Sequence, residues 1–231
     1  MLIVTPQKSN PSPVEADTNV APTAAATSAD GDVVIVQTRL PTEQRQAEIV
    51  AAALQLAQNG SPSDITTTDL ARAVGVTQGA VFKHFPTKDA IWLAVITWVA
   101  NTLPRVLNEA AAHATSPLDA LNKIFHAHVE FVIANPGVPR VIFHELQRAA
   151  DTPTKQQVRV LLQTYRQLLL THLNAAVQNG DASEDVDVAA AATQFVGIVQ
   201  GLVMQSMMSG QPHLMRADAP RVFDLYLRGL R

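Results

Sequence analysis

The segment GVTQGAVFKHFPTK, Gly75 to Lys88, gathers side chains suited to gripping a polyanion. Gln78 carries an amide that can pair bidentately with adenine, and Lys83 a cation able to approach guanine or a phosphate. Between them Gly79 and Ala80 leave one helical face nearly bare. Glycine inside a helix costs about 1 kcal/mol against alanine, so its place among polar and basic residues suggests that something outside the chain fills the gap. Lys88 falls in the first turn of the next helix, where the macrodipole disfavours a cation. A phosphate bound at that terminus would reverse the balance, since anions belong there. His84 reads equally as a half-buried structural residue or as part of this surface.

The elements that must position these groups are two short helices and the turn between them. Leu70, Ala71 and Val74 line one side of the first, over Thr66 to Val74, and the second runs from Thr77 to about His84. Gly75 follows the last turn of the first, where a left-handed backbone is cheapest for glycine. Thr77 supplies a hydroxyl cap for the second. Ala71 is small where the helices cross, and Leu70, Val74, Val76 and Val81 fill the space between them. That spacing is a helix-turn-helix, whose second helix enters the major groove by its N-terminal end.

The rest of the chain supports an all-α fold of about nine helices, arranged as an N-terminal three-helix head and a C-terminal helical body. Residues 1–40, rich in Pro, Ala, Thr and Ser, read as a disordered tail. VVIVQ at 33–37 is a possible extended segment with no obvious partner strand. Residues 41–87 are expected to form the head, with its helix-turn-helix, and 88–231 the body. Helices are expected over 42–59, from Thr87 through Val99, between Ser116-Pro117 and Asn135-Pro136-Gly137, over 138–147, from Thr152-Pro153 to Asn179-Gly180, over 186–209 and from Asp218 to Arg231.

Composition narrows the function. Net charge is −3, with five cations against five acids over 39–90, so any nucleic-acid contact depends on local placement and not on a global field. The absence of cysteine excludes a disulfide scaffold and thiolate metal sites, and fits a cytoplasmic location. MLIVTPQKSNPSP lacks the pattern of a secretion signal, and no run approaches the length that crosses a membrane. His126 and His128 in HAH face different sides of a helix. FHELQR, 143–148, has arginine where a zinc protease motif needs its second histidine. No metal, cofactor or enzymatic activity is expected.

TEQRQAEIVAAALQLAQNG, TTTDLARAVGVTQGAVFKHFPTKDAIWLAV and the helical remainder resemble the TetR/AcrR family of one-component bacterial regulators, most specifically over 42–98. The resemblance implies phosphate contacts at Arg45, Thr67 and Lys88, and a recognition helix carrying Thr77, Gln78, Ala80, Lys83 and His84. Phe82 stands where the family often has tyrosine, removing a hydroxyl, and Ser61-Pro62 replaces an aromatic after the first helix. The implied partners are a double-stranded DNA operator, a second copy of the chain and a small-molecule effector.

In the body, Ala189, Thr193, Gly197 and Gly201 fall at four-residue steps, a row of small side chains that admits another helix closely. With Phe223 and Tyr226 of the last helix they form the expected homodimer face. Phe125, His128, Phe131, Phe143, Tyr165, Phe195, Met204 and Met208 are the candidate lining of an apolar pocket. The reading is a ligand-responsive repressor on a palindromic operator. The alternative is a helical interaction or ligand-binding protein whose helix-turn-helix does not touch DNA.

Overall fold

The computed structural model describes residues 41–231, together with the backbone of 25–27 and 33–35. In the N-terminal unit, β1 (Ala25–Thr27) pairs antiparallel with β2 (Val33–Ile35), Ala25 opposite Ile35 and Thr27 opposite Val33. The apolar run at 33–37 thus has a partner strand, drawn from an Ala-Ala-Thr stretch that shows no strand pattern of its own. The rest of the expected disordered tail lies outside the described residues.

From Pro41 onward the regular structure among the described residues is entirely helical. Helices α1 (Thr42–Ala57), α2 (Thr67–Val74) and α3 (Gln78–His84) make the head. Ile49, Ala53, Leu70, Ala71, Val81 and Phe85 are buried in its core. Helix α4 (Lys88–Ala112) buries Ile91, Val95, Val99, Leu103 and Leu107 at four-residue steps, and packs on α1 at one end and on α5 and α7 along its length. That continuous stripe is what carries the head on the body.

The body continues with α5 (Pro117–Ala134), α6 (Gly137–Gln147), α7 (Pro153–Gln178), α8 (Val188–Ser209) and α9 (Met215–Arg228). Their starts are written locally. The side-chain oxygens of Ser116, Thr152 and Asp187 accept from backbone amides of the first turn, and proline follows the first two of these caps. Helix α9 begins three residues before the expected Asp218. A 3-10 turn over Pro212–Leu214 leads into it, and burial of Met215 one turn ahead of Ala219 extends it despite Pro220 inside.

Two expectations about hydrophobic segments need correction. Helices α4 and α8 are each long and apolar enough, by length and composition, to cross a membrane. The sequence understates this for α4 because the helix continues through Pro104 to Ala112. In the fold, α4 packs on α1, α5 and α7, and α8 on α5, α7 and α9. Nor is α8 buried on every side, as its composition suggests: Ala189, Thr193, Gly197 and Gly201 are exposed along one edge.

Candidate nucleic-acid interface and ligand cavity

Helix α2 starts with a capping box. The Thr66 hydroxyl accepts from the Asp69 amide at 3.1 Å, and the Asp69 carboxylate accepts from the Thr66 amide at 3.0 Å. The Thr66 hydroxyl also donates to that carboxylate at 2.6 Å, and this bond, then the one from the Thr66 amide, with Arg72 nearby, hold the Asp69 carboxyl below its ordinary pKa. Gly75 ends α2 with φ 70°, the left-handed conformation the turn requires. The Thr77 hydroxyl then accepts from the Ala80 amide at 3.2 Å and opens α3. Eight- and seven-residue helices are thus fixed at both sides of a three-residue turn, Gly75 to Thr77.

On this frame Thr67 and Gln78 come together: the Gln78 amide nitrogen donates to the Thr67 hydroxyl at 2.6 Å. Thr77, Gln78, Gly79 and Lys83 are exposed, Ala80 is half-buried, and Phe82 adds an apolar group that is 42% exposed. A Cβ placed at Gly79 would meet nothing within 4 Å, so no packing among the described residues demands glycine there.

Three expected members of the surface are engaged within the fold. Arg45 pairs with Glu48 at 2.7 Å and its side chain is 15% exposed. His84 is half-buried, with its Nδ1 occluded and without a partner among the described residues, while its carbonyl accepts from Gln46 of α1 at 3.2 Å. Lys88 donates to the Ser63 carbonyl at 2.7 Å, tying the loop after α1 to the start of α4. Burial pushes the Lys88 ammonium below its ordinary pKa against the pull of Asp64, Asp89 and Asp69. The Lys88–Ser63 bond went unseen in the sequence because it joins residues on two separate elements.

The body encloses a cavity of about 90 Å³ among α4, α5, α6, α7 and α8. Of the eight residues expected there, His128, Phe131, Phe143 and Tyr165 line it. Phe125 and Phe195 do not. They are fully buried in an aromatic cluster with Phe223 and Tyr226, the Phe125–Phe223 rings 4.8 Å apart and Phe195–Tyr226 5.6 Å. Met204 and Met208 face outward on α8, 47% and 81% exposed. Leu103, Ile142, Leu161, Val199 and Gln200 line the cavity instead, residues that no local pattern distinguished from ordinary core.

The aromatic cluster also corrects the dimer face. Phe223 and Tyr226 are each 1% exposed, and the Tyr226 hydroxyl donates to the Ala191 carbonyl at 3.1 Å. Three residues apart, they share the side of α9 that packs on α5 and α8, while Leu225, 64% exposed, faces out. Along α8 the row of Ala189, Thr193, Gly197 and Gly201 is open, and a side chain at either glycine would meet nothing within 4 Å.

Helix α6 links the cavity to the head. At its start, a side chain at Gly137 would lie 2.2 Å from the Leu54 carbonyl of α1, so only glycine permits that approach. In the middle, Val138, Pro139, Ile142 and Phe143 face the cavity. Just past its end, Arg148 donates to Asp89 of α4 and to Glu145, each at 3.3 Å, and Asp89 holds the guanidinium above its ordinary pKa. Thr152 bonds the second carboxylate oxygen of the buried Glu145.

Comparison with known proteins agrees with this division. The model of the bacterial regulatory proteins of the tetR family matches residues 49–95, and that of the tetracyclin repressor-like C-terminal domain matches residues 145–219. Nucleoid occlusion factor SlmA of Haemophilus ducreyi is 31% identical over 101 residues, 43% of this chain and 50% of that protein. The chain therefore spans about half the length of that relative. The factor of the same name from Vibrio cholerae is 25% identical over 183 residues, 79% of this chain and 91% of that protein. The structure of FadR from Bacillus subtilis in complex with stearoyl-CoA has the same fold, with TM-score 0.70 at 19% identity over 80% of this chain and 99% of that one. With a helix-turn-helix head under the first match and a cavity-bearing helical body under the second, the chain belongs to the TetR family of transcriptional regulators.

Proposed function

We propose that this chain is a homodimeric, ligand-responsive repressor that binds a palindromic operator and leaves it when a small apolar or amphipathic effector enters the body. Residues 1–40 are then a tail, 41–87 the DNA-binding domain and 88–231 the effector and dimerisation domain. Two-fold pairing through the open α8 row and the outer face of α9 presents two copies of α3 to successive major grooves. Gln78 and Lys83 read base edges, Gly79 and Ala80 admit the backbone closely, and Thr67, Thr77 and Lys88 meet phosphates. Arg45 and His84 serve by holding α1 and α3 in place. The setting is the cytoplasm, where DNA and effector meet.

The observation that carries the reading is the triple engagement of α6, with the cavity in its middle, α1 at its start and α4 beyond its end. A ligand that enlarges the cavity displaces α6, and α6 cannot move without shifting the head. Operator affinity then falls by the ligand's differential affinity for the two arrangements. The related structure solved with stearoyl-CoA supports a small-molecule effector in this fold.

Similarity to nucleoid occlusion factors favours a second reading, in which DNA binding serves that role and no effector releases it. Selection of bound fragments from random DNA, with and without a panel of small molecules, separates the readings. A palindrome released by a member of the panel supports the repressor. A site that no member releases supports the second, and no selected site at all leaves a helical ligand-binding or interaction protein.

A further inference from the structure

We infer that the body cavity takes a small uncharged molecule, an apolar body bearing one hydroxyl or carbonyl oxygen that bonds the His128–Tyr165 pair, in preference to any carboxylate, phosphate ester or ammonium compound. The inference rests on the reading of this cavity as the effector site and names the chemistry that site selects.

The polar content of the cavity is confined to His128, Tyr165 and Gln200; every other lining side chain is apolar. His128 and Tyr165 share a hydrogen bond of 2.9 Å between Nδ1 and the phenol oxygen, with the rings 5.1 Å apart edge to face. If Nδ1 accepts, the imidazole Nε2–H remains to donate and the phenol oxygen to accept. If Nδ1 donates, the phenol O–H remains to donate and Nε2 to accept. Under either tautomer the pair offers one free donor and one free acceptor and carries no charge, which matches an alcohol or a carbonyl oxygen.

Protonation does not alter that offer. Burial alone pushes the His128 imidazole down to about 4, and burial pushes the Tyr165 phenol upward, so both are neutral near pH 7. Among the described residues, no acid, lysine or arginine lines the cavity to hold either group ionised or to receive an ionic ligand. A charged ligand would surrender its hydration with no counter-charge to replace it.

The surroundings extend the same selection. Leu103, Leu161 and Tyr165 also line a groove of about 690 Å³ on the α4–α7 face, and its other ionisable side chain is His172, whose pKa burial lowers. A second neighbouring groove shares Val132 and Pro139 with the cavity and contains Arg140, which is not itself among the cavity residues. Size restricts the ligand further, to a small molecule, since the cavity measures about 90 Å³.

The test titrates the full chain, without DNA, with 1-hexanol, hexanoate, hexylammonium and benzene. Fluorescence of Trp98, whose ring lies 6.1 Å from Phe131 of the cavity wall, and calorimetry report binding. The expected result is saturable binding of 1-hexanol and benzene, with hexanoate and hexylammonium weaker by on the order of a hundredfold. Tyr165→Phe should weaken 1-hexanol about tenfold and leave benzene, which has no oxygen, unchanged. His128→Leu should repeat that split, and stands in should the first variant not fold. Hexanoate or hexylammonium binding as tightly as 1-hexanol overturns the inference. So does an equal loss of benzene and 1-hexanol in the variants, or binding of none of the four. Because DNA is absent, failure of the chain to act as a repressor leaves these outcomes readable.

Discussion

The head and the body cavity both present groups to a second molecule, and they are built in opposite ways. On the head, exposed polar side chains lie between Thr67 and Lys88, on two short helices whose caps and turn are set by neighbours a few residues away. In the body, side chains from Leu103 to Val203 converge from five helices, and among the described residues none that lines the cavity is an acid, lysine or arginine. The head tolerates solvent and awaits a charged lattice. The cavity is lined mainly by apolar side chains, and burial tunes its polar pair. A recognition surface can thus be specified locally when its partner is outside the fold, whereas a cavity exists only once long-range packing is complete.

The outer face of the body is the place to break this division most severely. Gly197→Arg puts a charged side chain on the open α8 row, where an added Cβ meets nothing within 4 Å among the described residues. If that row pairs two copies, sedimentation should report monomers, and operator affinity should fall roughly 10²- to 10⁴-fold as the two half-sites are uncoupled. Fold stability of the chain should not fall, since arginine in place of glycine inside a helix favours it by up to about 1 kcal/mol. A variant that remains dimeric would move the interface elsewhere.

Gly137→Ala attacks the strut between the two regions. Its side chain would lie 2.2 Å from the Leu54 carbonyl and 3.3 Å from the Ala57 side chain. Backbone on one helix cannot yield as a side-chain tip would, so denaturation should show a loss of about 3 kcal/mol. An unchanged midpoint would mean that α6 and α1 separate freely, and the coupling through α6 would have to be abandoned.

The cavity differs from the head in its response to acid. His128 in the folded chain titrates near 4, below its ordinary value of 6.5. Above pH 6.5 neither folded nor unfolded chains protonate it, and the group contributes no slope. As pH falls from 6.5 towards 4 the unfolded chain binds the extra proton, so stability declines through that window, by on the order of 3 kcal/mol at its end. His128→Leu should lack this component in denaturation curves measured between pH 7 and pH 4. Equal slopes in the two proteins would place the imidazole in water.

The same contrast explains what was legible in the sequence. Leu70, Ala71, Gly75 and Thr77 announced the helix-turn-helix because each has a local job, and the helix order of the body followed from Ser116-Pro117, Thr152-Pro153 and glycine or asparagine stops. Which side of each body helix would face in was not local. Phe125 and Phe195 looked like pocket residues and joined Phe223 and Tyr226 in the core, whereas Met204 and Met208 looked inward and face out. Aromatic and methionine side chains suit a core, a cavity wall or an outer surface equally well, so residue type alone could not choose among them. The strand Ala25–Thr27 was hidden for a related reason: pairing, not side-chain alternation, defines it.

On the head, two variants should separate reading from holding. Gln78→Ala should relax discrimination at one base pair in each half-site, costing roughly 1–3 kcal/mol there. Lys88→Ala should weaken all sequences alike and reduce the salt slope by about one. It also frees the Ser63 carbonyl, so some loss of head stability accompanies it. Stability loss without a change in salt slope would leave Lys88 as a fastening of the loop alone.

The smallest effect comes from the second glycine, and its sign sharpens the comparison. Gly137 is imposed by the Leu54 carbonyl, but the space around Gly79 is open, so alanine there meets no obstacle. Helix propensity then predicts that Gly79→Ala stabilises the chain by up to about 1 kcal/mol. If DNA fills the bare face of α3, the same added methyl stands between backbone and groove, and operator affinity falls although the fold is firmer. Thermal denaturation and DNA titration on one sample read the two quantities together. A firmer fold with undiminished DNA binding would show that Gly79 does not approach the DNA, and Gln78 and Lys83 would have to act from a helix held further out.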